Sequence, residues 1–433
     1  MTDIQPLNTP SSDDHQATSQ RDALSTALEP LDLRPLQLVF LAGAVSVVSA
    51  GYGALMPLLP AWLSQRLPGL NATEVARQVG FLSGAYTAGV LVGAPLWGLI
   101  SDRIGRPRIL IFGLVGYVVS LLLLLLVPSS GSFWAIYVLR AAAGLFVAAV
   151  IPVVPALVAA HTPKALRARR FAWLGAASLI GFLFGPVLNS LADIIASVFA
   201  SGVSLAPLSE RLVIVLSAIL GASTMLGLAL TLPEVKDVFN SRDVEPVSAS
   251  RISIVALCWL SVILMYVLSG FELGIVLQGK RHPGLSTQEV AMMFAECALV
   301  MLGVNALLFF TSVLSKLPAR LIIAAGSLIG MVGLSILALH HSTMWMYIGV
   351  SLTSGGTGLV LPVISFLAAG ASRRMLGATM GGLAAASGLG QTLGSAAGGW
   401  LFGSVAQGAF GWLALPLLIV LILVLSRPAW LAL

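Results

Sequence analysis

The chain has 433 residues, 58% of them hydrophobic and 9% charged, with a mean hydropathy of +0.98 and a formal net charge of +6. Soluble domains carry about 25% charged residues, so this composition excludes an ordinary soluble protein and indicates a polytopic membrane protein. The basic residues are scattered over short loops with no basic face to track phosphates, which excludes a nucleic-acid binder.

Residues 1–35 are polar, with Asp13, Asp14, Asp22 and Glu29 among Ser, Thr and Pro. They hold no apolar h-region and read as a disordered cytoplasmic tail rather than a signal peptide. Twelve apolar segments follow, each near the roughly 20 residues that cross a bilayer. Six lie at roughly 36–64, 80–100, 109–127, 133–160, 172–199 and 211–231. Six more lie at roughly 252–278, 290–312, 319–339, 344–368, 376–403 and 410–427. The polar linker at 232–251 divides them, so 36–231 and 252–433 are expected to form two six-helix bundles in an all-α integral membrane fold.

Lys and Arg set the orientation of such a chain. Of the 23, only Arg66, Arg77, Arg140, Arg211, Lys280 and Arg281 fall outside the tail, the linker, the C-terminus and the turns on the same side as these. Both termini are therefore expected in the cytoplasm. A plasma membrane, specifically a bacterial inner membrane, is the expected location.

The two halves carry weak internal repeats about 210 residues apart. "GFLFGPVLNS" from Gly181 has a counterpart in "GQTLGSAAGG" from Gly390. "IPVVPALVAA" from Ile151 resembles "LPVISFLAAG" from Leu361. Repeated six-helix halves are a transporter architecture with the substrate site between them.

Between segments 2 and 3 lies "GLISDRIGRPRIL", a knot of four charges inside two apolar runs. Its arginines hold the turn on the cytoplasmic side, while Gly98 and Gly105 allow a sharp turn or a close approach. Asp102 is a charge partner for arginines or for a helix N-terminus. The stretch resembles the major facilitator superfamily signature G-x-L-x-D-R-x-G-R-[KR]-x-x-L, with Gly98, Asp102, Arg103, Gly105, Arg106 and Leu110 matching and Pro107-Arg108 departing. That resemblance implies the major facilitator fold of twelve helices in two pseudo-symmetric bundles. It also implies that this turn latches the halves on the cytoplasmic side; a pure topology anchor is the other reading. The equivalent turn of the second half has Ser315 in place of Asp102 and keeps Lys316 opposite Arg103, so the latch is expected to be one-sided.

Two further motifs resemble the same family. Arg140 with Gly144 in "YVLRAAAGLFVAAVIP" matches its arginine inside helix 4. A charge in the bilayer costs about 2.5–3.5 kcal/mol on insertion scales, so Arg140 should face a partner or an aqueous cavity. The alternative is that it snorkels to the outer surface, about two turns away. Gly181, Gly185 and Pro186 match the antiporter motif G-x-x-x-G-P-x-x-G-G, which marks exporters. Its last glycine pair is replaced by Asn189-Ser190, and plain helix packing remains the alternative reading.

Glu272 and Glu296 lie in the outer thirds of helices 7 and 8. Carboxylates withdrawn from water are candidate proton carriers, the alternative for Glu272 being an interfacial position. Asp193 reads as interfacial. Helix 1, "LAGAVSVVSAGYGALMPLLP", lacks the acid that many drug exporters of the family place there. Tyr52, Met56 and Gln391 are candidate cavity residues. Cys258 and Cys297 read as core residues rather than a disulfide or metal pair, and His340-His341 as loop residues. "NAT" at 71–73 matches a glycosylation sequon, and no phosphate loop is present.

The sequence thus predicts a monomeric secondary transporter exporting an apolar or amphipathic small molecule, such as a drug or metabolite, against protons, with no cofactor or metal. Few polar groups on the helices suit such a ligand better than a sugar. Uptake of a small metabolite is the alternative within transport. A membrane enzyme would need clustered acids or histidines, and a sensor would need a signalling domain; the sequence shows neither.

Overall fold

The computed structural model describes residues 33–66, 69–127, 133–162, 164–199, 205–232, 254–278, 286–310, 317–371 and 376–426. The tail at 1–32 and the linker at 233–253 lie outside the described residues, as do Ser315 and Lys316. No strand occurs among the described residues. Lipid offers no hydrogen bonds, so each crossing must satisfy its own backbone, and a helix does so within one segment.

The first half contains α1 (Pro35–Leu55), α2 (Leu59–Arg66), α3 (Ala72–Ile104), α4 (Arg106–Leu126), α5 (Phe133–Val147), α6 (Val153–Ala160), α7 (Lys164–Phe199) and α8 (Leu205–Thr231). The second contains α9 (Ile254–Gln278), α10 (Thr287–Phe310), α11 (Ala319–Leu339), α12 (Thr343–Ala371), α13 (Leu376–Val405) and α14 (Ala409–Ser426). Large apolar side chains such as Leu99, Leu126, Trp134, Val198, Leu230 and Leu339 are exposed along these helices, as lipid-facing residues are.

Among the described residues, ten stretches are long and apolar enough to span a membrane. Two features reconcile this with the twelve expected crossings. Gly381–Ser426 is a single apolar run of 46 residues, but a 3-10 turn at Ala406–Gly408, with Ala406 at φ 54°, folds it into α13 and α14. The fourth crossing is broken between α5 and α6. Pro152 has no N–H to give the Ala148 carbonyl, and Ala149 and Val150 donate three residues back, to Phe146 and Val147, at 3.0 and 2.9 Å. Pro57 breaks the first crossing likewise: Leu58 donates to Leu55 at 3.2 Å and Leu59 to Met56 at 3.3 Å.

Helix boundaries extend past the apolar stretches wherever polar residues cap them. Asn71 Oδ1 accepts from the Glu74 N–H and Glu74 Oε2 from the Asn71 N–H, both at 2.9 Å. This capping box starts α3 at Ala72 rather than near 80. Asn71, the sequon residue, is therefore a helix cap. At the other end of α3 a single residue, Gly105, separates it from α4. Gly105 has φ 102° and ψ 135°, a region that side chains disfavour. Arg106 Nη1 donates to the Ala156 carbonyl at 3.2 Å, near the C-terminal end of α6, where positive charge is favoured. Arg103 is exposed; Asp102 falls in the last turn of α3 and its side chain lies outside the described residues. A Cβ on Gly98 would meet nothing within 4 Å.

Each half has a matching pair of helices that meets backbone to backbone. In the first, α7 packs on α1. A Cβ on Gly181 would collide with the Ser46 backbone, and one on Gly185 would stand 2.5 Å from the Gly53 carbonyl carbon. Ser49 and Ser178 share a hydrogen bond of 2.8 Å. Pro186 removes the donor of the Phe182 carbonyl, and that oxygen lies against Gly53. In the second half α13 packs on α9 in the same way. Gly390 abuts the Val262 carbonyl and Gly394 the Tyr266 carbonyl, with Ser261–Ser387 and Ser269–Ser395 bonds of 2.7 and 2.6 Å. The repeat that begins at Gly181 and Gly390 is thus a repeated helix seam.

The halves join through α3 against α13 and α7 against α10. The α3–α13 seam begins at the end that holds the Asn71 cap, where Gly403 meets Thr73. It runs through Gly80 and Gly399, whose backbones touch, to Leu91 and Gly388. Nearer the Gly105 turn it stops: Gly381 and Gly382 are exposed, and a Cβ on either would meet nothing within 4 Å. The halves therefore close at the cap end and part toward the turn end.

Two outcomes follow from these contacts. Gly105→Ala should lower the thermal unfolding midpoint of the purified protein, since a side chain at such a φ costs about 1–3 kcal/mol; Gly98→Ala should not lower it. Gly399→Val should hold the cap end open, because a Cβ there meets the Gly80 Cα at 2.6 Å and the Ala76 carbonyl at 2.8 Å. Spin labels on the exposed positions Glu74 and Ser404 should then report a longer distance, with Gly382→Val leaving it unchanged.

Candidate transport site

Arg140 sits midway along α5, one turn before Gly144, whose missing side chain lets α5 rest on the Tyr86 backbone of α3. Gly89 meets the Ala141 carbonyl and tightens the same contact. This approach brings the Arg140 guanidinium over the Tyr86 ring, 4.8 Å from its centroid. Arg140 is 3% exposed, so its head group lies inside the bundle rather than at the outer surface. Its Nε and Nη2 have no hydrogen-bond partner, and neither does the Tyr117 hydroxyl, which lies against Gly51. A desolvated cation–π contact is worth about 2 kcal/mol, less than the several kcal/mol of desolvating an ion.

From Tyr86 a line of rings leads across to the second half. Tyr52 lies 5.6 Å from Tyr86 and 6.0 Å from Phe182, and Phe182 lies 5.6 Å from Phe294 of α10. Beside this line the Tyr52 hydroxyl donates to Glu272 Oε2 at 3.2 Å, a hydrogen bond between the halves. The structure thus brings together Arg140, Tyr52 and Glu272, which are far apart in sequence. A buried cation, two tyrosines and a carboxylate thus form one line of contacts that crosses from the first half to the second.

The remaining sequence candidates lie apart from it. Glu296 accepts from Ser351 of α12 at 2.5 Å, and its Oε2 is buried without a partner. Met56, at the α1 break, is fully buried, and its sulfur accepts from Ser83 at 3.4 Å. Gln391 points its amide at the Met265 sulfur, 3.6 Å away. Gly181, Gly185 and Pro186 serve the α1–α7 seam, and Gly98, Asp102, Arg103, Gly105 and Arg106 cluster at the opposite end. Asp193 is exposed, Cys258 and Cys297 are free thiols, and His340 stacks on Trp345 at 4.8 Å.

Sequence reasoning missed four polar groups. Tyr86 and Tyr117 stand in apolar runs where a tyrosine reads as packing. Glu210 precedes the apolar stretch of α8 and was placed outside it; it is buried and accepts from Gln65 at 2.9 Å. Asn189 registered only as a departure from a motif, yet it is buried with both amide atoms unpartnered. A polar residue inside an apolar helix, on the face that carries the seam glycines, was the available signal for Asn189.

The family model of the Major Facilitator Superfamily matches residues 41–307. The class D tetracycline resistance protein of Salmonella ordonez is 28% identical over 393 residues, 88% of this chain and 94% of that protein. The class B tetracycline resistance protein of Escherichia coli is 31% identical over 142 residues, 33% of this chain and 34% of that one. Among solved structures, the human organic anion transporter MFSD10 superposes with a TM-score of 0.68 at 18% identity, covering 90% of this chain and all of that one. The last likeness bears on the fold alone. A match over most of the chain, the paired six-helix halves and a polar cluster between them agree: this protein is a transporter of the Major Facilitator Superfamily.

Proposed function

We propose that the protein exports an apolar or amphipathic small molecule in exchange for protons. The observation that carries this is the Tyr52–Glu272 hydrogen bond, which ties a carboxylate to the surface where the halves part and close. The Lys and Arg bias supports a cytoplasmic turn end, so the conformation described is one that faces the cytoplasm. When the halves rock, the cap end opens, the Tyr52–Glu272 bond breaks and Glu272 meets the outer solution. When they close again, Glu272 returns to Tyr52. A carboxylate whose access alternates in this way takes up a proton on one side and releases it on the other.

The ring line of Tyr86, Tyr52, Phe182 and Phe294 supports a ligand with flat apolar surface, since aromatic side chains line apolar sites with few polar groups. Similarity over nearly full length to a tetracycline resistance protein supports export of a drug-like compound in particular. Arg140 never deprotonates at physiological pH, so its part is to bias the charge of its neighbours rather than to carry the proton. Glu296 with Ser351 is a second candidate carrier. The Gly98–Arg106 turn is the candidate latch for the opposite state, when the turn end closes.

In everted vesicles with a pH-gradient dye, addition of a transported substrate should dissipate the gradient. Glu272→Gln keeps the shape of the side chain and loses its proton. It should reduce proton release by about tenfold or more, the equivalent of one pK unit of differential interaction, while substrate binding to the purified protein changes less than threefold, by our estimate from the same scale. Normal proton release by Glu272→Gln and by the double variant with Glu296→Gln would place coupling elsewhere. Uptake rather than export would appear as accumulation of substrate only in right-side-out vesicles.

A further inference from the structure

The Arg140 head group raises a question that proton exchange does not answer. It is buried, it keeps two N–H-bearing atoms without partners, and among the described residues it has no ion-pair partner. One face is covered by the Tyr86 ring. The Tyr117 hydroxyl, set against Gly51 next to Tyr52 in α1, is buried and unpartnered as well, whereas the Tyr52 hydroxyl is committed to Glu272. Leaving such donors bare in an apolar bundle is costly, and an anion that accepts from them removes the cost.

We infer that this cluster is an anion site, and that the exported molecule is an amphipathic organic acid whose ionised group is taken by Arg140 and Tyr117. The inference deepens the export reading and rests on it. The chemistry is that of a carboxylate or an equally delocalised oxyanion. A guanidinium offers a planar set of donors to such a group, and a phenol adds one more. The flat apolar part of the ligand would lie along Tyr52 and Phe182, the rings that lead from the boundary between the halves to Tyr86. Beyond the guanidinium lies a narrow cavity walled by Leu55, Leu58, Trp62 and Ile214, with Glu210 on the same wall set.

Equilibrium binding to the purified protein in nanodiscs, with no gradient present, tests this with a matched pair of fluorescent probes: pyrenebutyrate and its methyl ester. Charged hydrogen bonds of the usual strength predict that the wild type prefers the acid by about tenfold or more. Arg140→Gln should abolish the preference, and Arg140→Lys should restore part of it. Tyr117→Phe, which leaves every charge in place, should weaken the acid alone by about threefold to tenfold, the worth of one hydrogen bond. Equal binding of the two probes by the wild type, binding of neither, or an unchanged preference in both Arg140→Gln and Tyr117→Phe would overturn the anion site. Because binding is read without transport, loss of the anion site with intact substrate-driven proton release in vesicles leaves the export reading standing. A preserved acid preference without proton release does the reverse.

Discussion

Helices in a bilayer gain little by hiding apolar side chains from one another, because lipid is as apolar as leucine. What holds this structure together is backbone laid on backbone at glycine. The α1–α7, α3–α5, α9–α13 and α3–α13 seams all have this form, and two of them set where a functional side chain goes. Gly144 and Gly89 bring α5 close enough to α3 for Arg140 to reach over Tyr86. Gly53 and Gly185 bring α1 and α7 together so that Tyr52 and Phe182 stand side by side. Had these positions carried side chains, the helices would lie farther apart and the cluster would not form.

Proline works with glycine at the same places. Pro57, Pro152 and Pro186 each remove a donor from a helix and leave a carbonyl to be satisfied otherwise. At Pro186 the freed Phe182 carbonyl faces the space that Gly53 leaves. At Pro152 the chain tightens for a few residues and restarts as α6. Charge is used sparingly: Arg140 on one half and Glu272 on the other, with Tyr86 and Tyr52 between them.

The large features of the fold were legible because the bilayer imposes a length and a composition. Ala319–Leu339 was read to the residue, and α9 and α14 to within two. The errors have local causes. α3 and α7 begin eight residues before their apolar stretches, since a capping box or a run of polar residues continues a helix beyond the hydrocarbon. The fourth crossing was read as one helix because a hydropathy window does not register two prolines three residues apart. Within the site, Arg140 and Glu272 stood out because a charge in a membrane segment needs an explanation. Tyr86, Tyr117 and Asn189 did not, since their significance lies in which neighbour they meet, and no spacing along the chain encodes that meeting.

The Gly80–Gly399 contact has one more consequence. A surface made of bare backbone has no rotamers to freeze when it closes and no ionisable group to titrate. Its attraction is dispersion, which neither acid nor salt alters. A gate built this way would be indifferent to the solution around it if it stood alone. On the proposed mechanism, the Tyr52–Glu272 pair would supply a chemical sensitivity that the glycine surface itself lacks.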